Sequence, residues 1–168
     1  MLVSDLPPLW TALLFLVPVL PISIWVAWSD MKFMKIPNTA VLTMAAAYAL
    51  VGLIALPFDL YLWGYALGAI TLVVGFLLST ARMVGAGDAK FAAAMAPFFT
   101  GSSPAFVFTL FGGCLLAAFA AHRILRAIPA MRRATPDWVS WTHRKFPMGL
   151  ALGGTVTFYF LLSLLNSA

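Results

Sequence analysis

Asp88 lies in Gly85-Ala86-Gly87-Asp88-Ala89-Lys90, a glycine-flanked carboxylate at the mouth of an apolar segment. Asp30 closes an earlier apolar segment, six residues before Ile36-Pro37-Asn38. All five acidic residues of the chain are Asp, and there is no Glu. A carboxylate at the end of an apolar helix is costly unless it is solvated, paired or protonated. Two of them brought together cannot both ionise cheaply, so the pair shares one proton. That state combines a base able to activate water with an acid able to protonate a peptide carbonyl, as in aspartic proteases. The glycines suit such a site because they admit close backbone approach. Pro37 is expected to stiffen the entry to the following helix and Asn38 to cap its first turn. Taken singly, an Asp at a helix start reads as an N-cap. The chemical reading therefore depends on whether the elements carrying Asp30 and Asp88 put them on one side.

Those elements are apolar. Of 168 residues, 63% are hydrophobic and only 9% charged, against about 25% charged in soluble domains. This predicts an all-α polytopic integral membrane protein and excludes a soluble globular class. Apolar stretches fall at Leu9–Trp28, Thr39–Leu56, Leu60–Ser79, Ala89–Phe99, Pro104–Ala121 and Met148–Leu165. Five approach the ~20 residues needed to cross a bilayer; the fourth reaches only about 16 Å as a helix. If all six cross, the loops on one side carry Lys32, Lys35, Arg82, Lys90, Arg123, Arg126, Arg132, Arg133, Arg144 and Lys145, every basic residue present. Asp5 and Asp59 fall on the other side. The positive-inside rule thus predicts six transmembrane helices, a short fourth one completed by flanking residues, and both termini on the non-cytoplasmic side. Asp30 and Asp88 then open on the same, cytoplasmic side. With no basic n-region ahead of it, Leu9–Trp28 reads as a retained span. Residues 1–168 read as a single membrane-embedded domain without repeats.

The net charge of +5 flanks the spans, so it speaks for topology and not for nucleic-acid binding. The single Cys114 permits neither an internal disulfide nor a Cys-x-x-Cys site. His122 and His143 lack ligand partners and read as interfacial polar residues, so neither metal nor cofactor is expected. Pro18 and Pro21 are expected to bend the first span. Gly64 and Gly68, Gly112-Gly113 and Gly153-Gly154 read as sites of close helix packing. The basic 122–147 loop, with Trp138 and Trp141, reads as a segment lying on the lipid surface. Asp137 reads as a solvated partner of Arg132 or Arg133. Arg82 reads as a membrane anchor. Lys90 reads equally as an anchor or as a group that binds an acidic substrate residue or tunes the carboxylates.

Asp30 with Ile36-Pro37-Asn38, followed by Gly85-Ala86-Gly87-Asp88-Ala89-Lys90, resembles the prepilin peptidase family of membrane aspartic proteases. Phe146-Pro147-Met148-Gly149-Leu150-Ala151-Leu152 resembles that family's third element, with Met148 where an aromatic residue is common. The resemblance implies that Asp30 and Asp88 are the catalytic pair, shaped by Ile36, Pro37, Asn38, Gly85, Gly87, Lys90, Pro147 and Gly149. It implies an endopeptidase of the bacterial inner membrane. Such an enzyme removes a short basic leader from prepilin or pseudopilin precursors at the cytoplasmic face, just ahead of their apolar helix. Larger members carry a Cys-x-x-Cys insert and also methylate the product. This chain has one cysteine and about nine residues between its first two spans, and so resembles the compact, peptidase-only form associated with tight-adherence pili. Two other readings stay open: a small proton-coupled transporter using the same aspartates, and a non-catalytic pilus-assembly scaffold.

Overall fold

The computed structural model describes residues 5–143 and 145–166; Arg144, one of the basic residues in the charge map, lies outside the described residues. Among the described residues the regular structure is entirely helical. The helices are α1 (Leu9–Phe33), α2 (Asn38–Ala55), α3 (Phe58–Thr80), α4 (Ala86–Met95), α5 (Pro104–Ala127), α6 (Pro129–Ala134) and α7 (Met148–Asn166). Short 3-10 turns occupy Ala96–Phe99 and Val139–Trp141. Five helices, α1, α2, α3, α5 and α7, are long and apolar enough to cross a membrane. Their outward faces expose large apolar side chains such as Val17, Leu42, Ile54, Phe76 and Leu116. So much exposed apolar surface needs lipid as its solvent. The chain is a multi-pass membrane protein.

The helices match the apolar stretches closely, with instructive exceptions at their ends. α1 passes without interruption through Pro18 and Pro21 and continues beyond Asp30. It stops at Met34, which takes a left-handed conformation (φ 52°) and donates its N–H to the Asp30 carbonyl at 2.9 Å. This αL stop satisfies a carbonyl of the last turn. Ser29 Oγ donates to the Lys35 carbonyl at 2.8 Å and pins the link to α2. α5 runs six residues past the expected end at Ala121, so part of the predicted basic loop is helix.

α4 is the central element. Only ten residues long, it is followed by the turn Ala96-Pro97-Phe98-Phe99. Pro97 has no N–H to donate to Ala93, which ends the α-helical ladder. Helix and turn together rise about 23 Å, short of a ~30 Å hydrocarbon core. Most of this segment is buried, Phe91 completely. It packs against α2, α3 and α7, so neighbouring helices cover most of it. A short segment is tolerable in that position because it need not match the bilayer thickness alone.

α1 and α7 share the most extensive interface among the described residues. Phe15, Tyr48, Phe98 and Phe160 meet in the core, with Phe15 and Phe98 edge-to-face at 5.0 Å. Tyr48 Oη donates to the Tyr61 carbonyl at 2.9 Å across the α2/α3 boundary. Gly64 makes that bond possible, because a Cβ there would fall 1.9 Å from Tyr48 Oη and 2.5 Å from Cζ. Gly64→Ala must expel the tyrosine and break its bond, and is expected to cost about 2–4 kcal/mol. Thermal unfolding in detergent checks this; an unchanged midpoint contradicts it. Gly68 and Gly153 also face close neighbours, Pro97 and Ser23 respectively. Gly112 and Gly113 face open space, so the close-packing expectation does not hold for that pair within the chain.

Two further expectations are corrected. Asp137 pairs with Lys32, not Arg132 or Arg133: Lys32 Nζ stands 2.8 Å from its carboxylate. The last turn of α1 projects Lys32 toward this loop, and the hydrogen bond holds the Asp137 carboxyl below the usual carboxylate range. His122 is not an interfacial group. It is buried, stacked on Trp141 at 5.5 Å and edge-on to Phe146 at 5.9 Å, because α5 carries it past the expected span end.

Candidate active site

The C-terminal turn of α1 and the N-terminal turns of α4 and α7 converge at one end of the bundle. Asp30 lies inside the last turn of α1, only 4% exposed. Its Oδ2 accepts the Gly149 backbone N–H at 2.6 Å. Gly149 is the second residue of α7, so this amide is one that the helix cannot use internally. A Cβ on Gly149 would lie 2.8 Å from Asp30 Cβ and 3.1 Å from Oδ2. The third sequence element thus acts through its backbone, and glycine there is a steric requirement. Pro147, fully buried, sets the chain two residues earlier.

Asp88 is half-buried in the first turn of α4. Its carboxylate turns back on the helix start, toward Gly85. Gly85 is the N-cap and Asp88 the third helical residue, the position from which a capping-box side chain reaches back. A Cβ on Gly85 would stand 2.5 Å from Asp88 Oδ2. Asp88 is therefore both a helix-start and a cleft residue; the two places do not compete. Gly87 faces Ile36, so the second element packs directly on the Ile36-Pro37 link.

Asp30 and Asp88 line a single cleft of about 1010 Å³, together with Ile36, Pro37, Asn38, Gly85, Gly87 and Lys90. The Asp30 charge acts on Asp88 across it. Pro147 and Gly149 sit behind the wall, while Phe146 and Met148 from the same stretch reach the cleft. Asn38 does not cap α2. It is already the first helical residue, no side-chain cap bond is made there, and Pro37 holds the cap position. The Asn38 carboxamide oxygen instead accepts from Lys90 Nζ at 3.3 Å. Lys90 is thereby turned toward the cleft.

Arg82, read from sequence as an anchor, also lines the cleft, as do Lys35, His143 and Lys145. The signal for them in the sequence is basic residues close to both aspartates, which membrane anchoring explains equally well. The rim is consequently cationic around an acidic centre. Among the described residues no group of three His, Cys, Asp or Glu side chains assembles, so the two aspartates have no third ligating partner. Two carboxylates lining one partly enclosed cleft, one of them held by a backbone amide, are groups of the type that acid–base chemistry on water uses.

Residues 9–121, two thirds of the chain, match the type IV leader peptidase family. The chain belongs to that family. No curated protein and no solved structure is matched. Membership makes this leader peptidase-type chain a protease acting on a protein substrate. The matched stretch carries Asp30, the Ile36-Pro37-Asn38 link and the Gly85–Lys90 element but stops before Gly149. The leader peptidase match and the Asp30–Gly149 hydrogen bond are therefore independent observations.

Proposed function

We propose that this leader peptidase is an aspartic endopeptidase in which Asp30 and Asp88 form a proton-sharing dyad. The observation that carries the reading is that both line one cleft, with Asp30 held by the Gly149 amide and Asp88 in the first turn of α4. The ionised member takes a proton from water as the oxygen attacks the scissile carbonyl. The protonated member donates to the carbonyl oxygen, giving a neutral tetrahedral diol. Collapse breaks the C–N bond with proton transfer to the leaving amine, and the dyad returns to its one-proton state. The substrate is a prepilin or pseudopilin precursor, cut between a short basic leader and its apolar helix. Chemistry occurs at the cytoplasmic face of a bacterial inner membrane, under six crossings with both termini on the opposite side; α4 with its turn is the short fourth crossing. The activity is peptidase alone, without methyl transfer to the product.

The cationic rim bears on how the substrate enters. Lys35, Arg82, Lys90 and Lys145 would repel a basic leader lodged in the cleft. The leader is better accommodated on the anionic lipid surface beside the enzyme. Only the residues flanking the scissile bond then need to reach Asp30 and Asp88.

The test is to incubate the purified protein in lipid vesicles with a pilin-like precursor bearing a basic leader, a glycine and an apolar helix. Mass spectrometry is expected to find one cut, on the N-terminal side of the apolar helix. An intact precursor under conditions where the protein remains folded overturns the proposal.

A further inference from the structure

We infer that the lipid-facing groove between α2 and α3 receives the apolar helix of the precursor and delivers its N-terminal end to the Asp30/Asp88 cleft. The inference rests on the peptidase reading above and says where within the bilayer that substrate lies. α2 and α3 are joined by a two-residue link and meet near it through Tyr48, Tyr61 and Gly64; farther along, α3 packs on α4 instead, with Gly68 on Pro97 and Gly75 on Ala89, and α4 stands between the two helices. A groove of about 280 Å³ remains on the outer side, walled by Ala45 of α2 and by Gly68, Ala69 and Leu72 of α3, with Ala93 and Pro97 of α4 as its floor.

Lys90 lines both this groove and the catalytic cleft. The two spaces therefore share a residue, and a chain held at Asp30 and Asp88 continues into the bilayer along α4 without leaving the protein. From Lys90 to Pro97 α4 and its turn rise about 10–12 Å, enough to accompany some two turns of a docked helix. The walls suit a helix in particular. Small side chains let a second backbone approach closely, which is how helices associate where lipid tails cancel any hydrophobic drive. Polar atoms nearby are already engaged: Tyr48 Oη donates to the Tyr61 carbonyl at 2.9 Å, and the Tyr61 and Tyr65 hydroxyls bond each other at 2.6 Å. The groove thus presents an apolar face and asks for an apolar partner. A lipid acyl chain could also fill it, but nothing about a lipid requires an opening onto the carboxylates.

Two measurements test this. The first places the photo-crosslinker p-benzoylphenylalanine at Ala45 or Ala69, or at Leu50 or Ile70 on outward faces of the same helices, in membranes holding the pilin-like precursor. Adducts with the precursor helix at 45 and 69, but not at 50 and 70, are expected. Adducts with lipid alone at 45 and 69 overturn the inference. The second compares Ala45→Trp and Ala69→Trp on the full precursor and on a water-soluble peptide that spans the cut but lacks the apolar helix. Filling the groove is expected to raise KM for the precursor about tenfold, as for the loss of one or two buried side-chain contacts, and to leave the peptide unaffected. Equal losses on both substrates, or on neither, overturn it. The outcomes separate from those of the peptidase reading. Cleavage without groove adducts sinks the groove alone, whereas groove adducts without cleavage sink the peptidase reading alone.

Discussion

Asp30→Asn and Asp88→Asn are each expected to lower kcat for precursor cleavage by about a thousandfold or more. The substitution is unusually clean at these positions. An Asn oxygen can still accept the Gly149 N–H that Asp30 accepts at 2.6 Å, and an Asn at position 88 can still face Gly85 as Asp88 does. The helix starts of α4 and α7 should therefore survive, and thermal unfolding should shift little. What Asn cannot do is hold and return a proton, which is the whole of the proposed chemistry. Precursor affinity is expected to stay within about twofold, since uniform binding does not require the proton. The double variant sharpens the test. Groups that act as one unit are non-additive, so Asp30→Asn/Asp88→Asn should be no slower than the worse single variant. Losses that multiply would mean that the two aspartates act separately. Full-rate processing by either single variant, with the site folded, would remove that aspartate from the dyad.

How far the sequence carried this picture depends on the range of the interaction concerned. The helices were readable because each is a long apolar run bounded by Pro, Gly or charge. Thr39–Leu56 and Met148–Leu165 lie within one residue of α2 and α7 at each end. The brevity of the fourth segment was equally visible, since Ala89–Phe99 is bounded by Asp88 on one side and polar Thr100 on the other. The loop charges implied only that Asp30, Asp88 and the Ile36-Pro37-Asn38 link open on one side; that they line one cleft is a tertiary fact that no loop charge states. What could not be read was how the elements touch. The Gly149 amide reaches Asp30 across 119 residues of separation, through a backbone group that no side-chain pattern advertises. Asn38 is a first helical residue and not a cap because α2 starts one position before the apolar run. That shift frees the side chain for Lys90. Asp137 was given to its sequence neighbours Arg132 and Arg133, whereas tertiary packing brought Lys32 closer. His122 moved from surface to interior because α5 ends six residues later than its apolar run. Each miss is a boundary or a long-range contact, and neither is encoded in local periodicity.

The third element yields the second large effect. Gly149→Ala and Gly153→Ala both add a methyl to the α7 face that packs on α1, one helical turn apart. At Gly153 the new Cβ would meet Ser23 at 3.0 Å, far from the cleft; at Gly149 it would meet Asp30 Cβ at 2.8 Å. Both contacts are too tight for a fixed interface, so each variant is expected to lose about 1–3 kcal/mol of stability. Their activities should part. For Gly149→Ala the relief must come from Asp30 or from the amide that it accepts, and either shift disorders the carboxylate within the dyad. A misplacement of about 1 Å can cost a hundredfold in rate, and a loss of that order is expected in kcat with KM nearly unchanged. Gly153→Ala, adjusting against Ser23, should retain kcat within about threefold, because nothing it touches belongs to the cleft. Steady-state cleavage of the precursor, set beside thermal unfolding of both proteins, reads the difference. If Gly149→Ala proves no slower than Gly153→Ala at equal stability, the α7 amide only packs against Asp30 and does not position it for catalysis. The dyad would then have to be oriented from α1 and α4 alone.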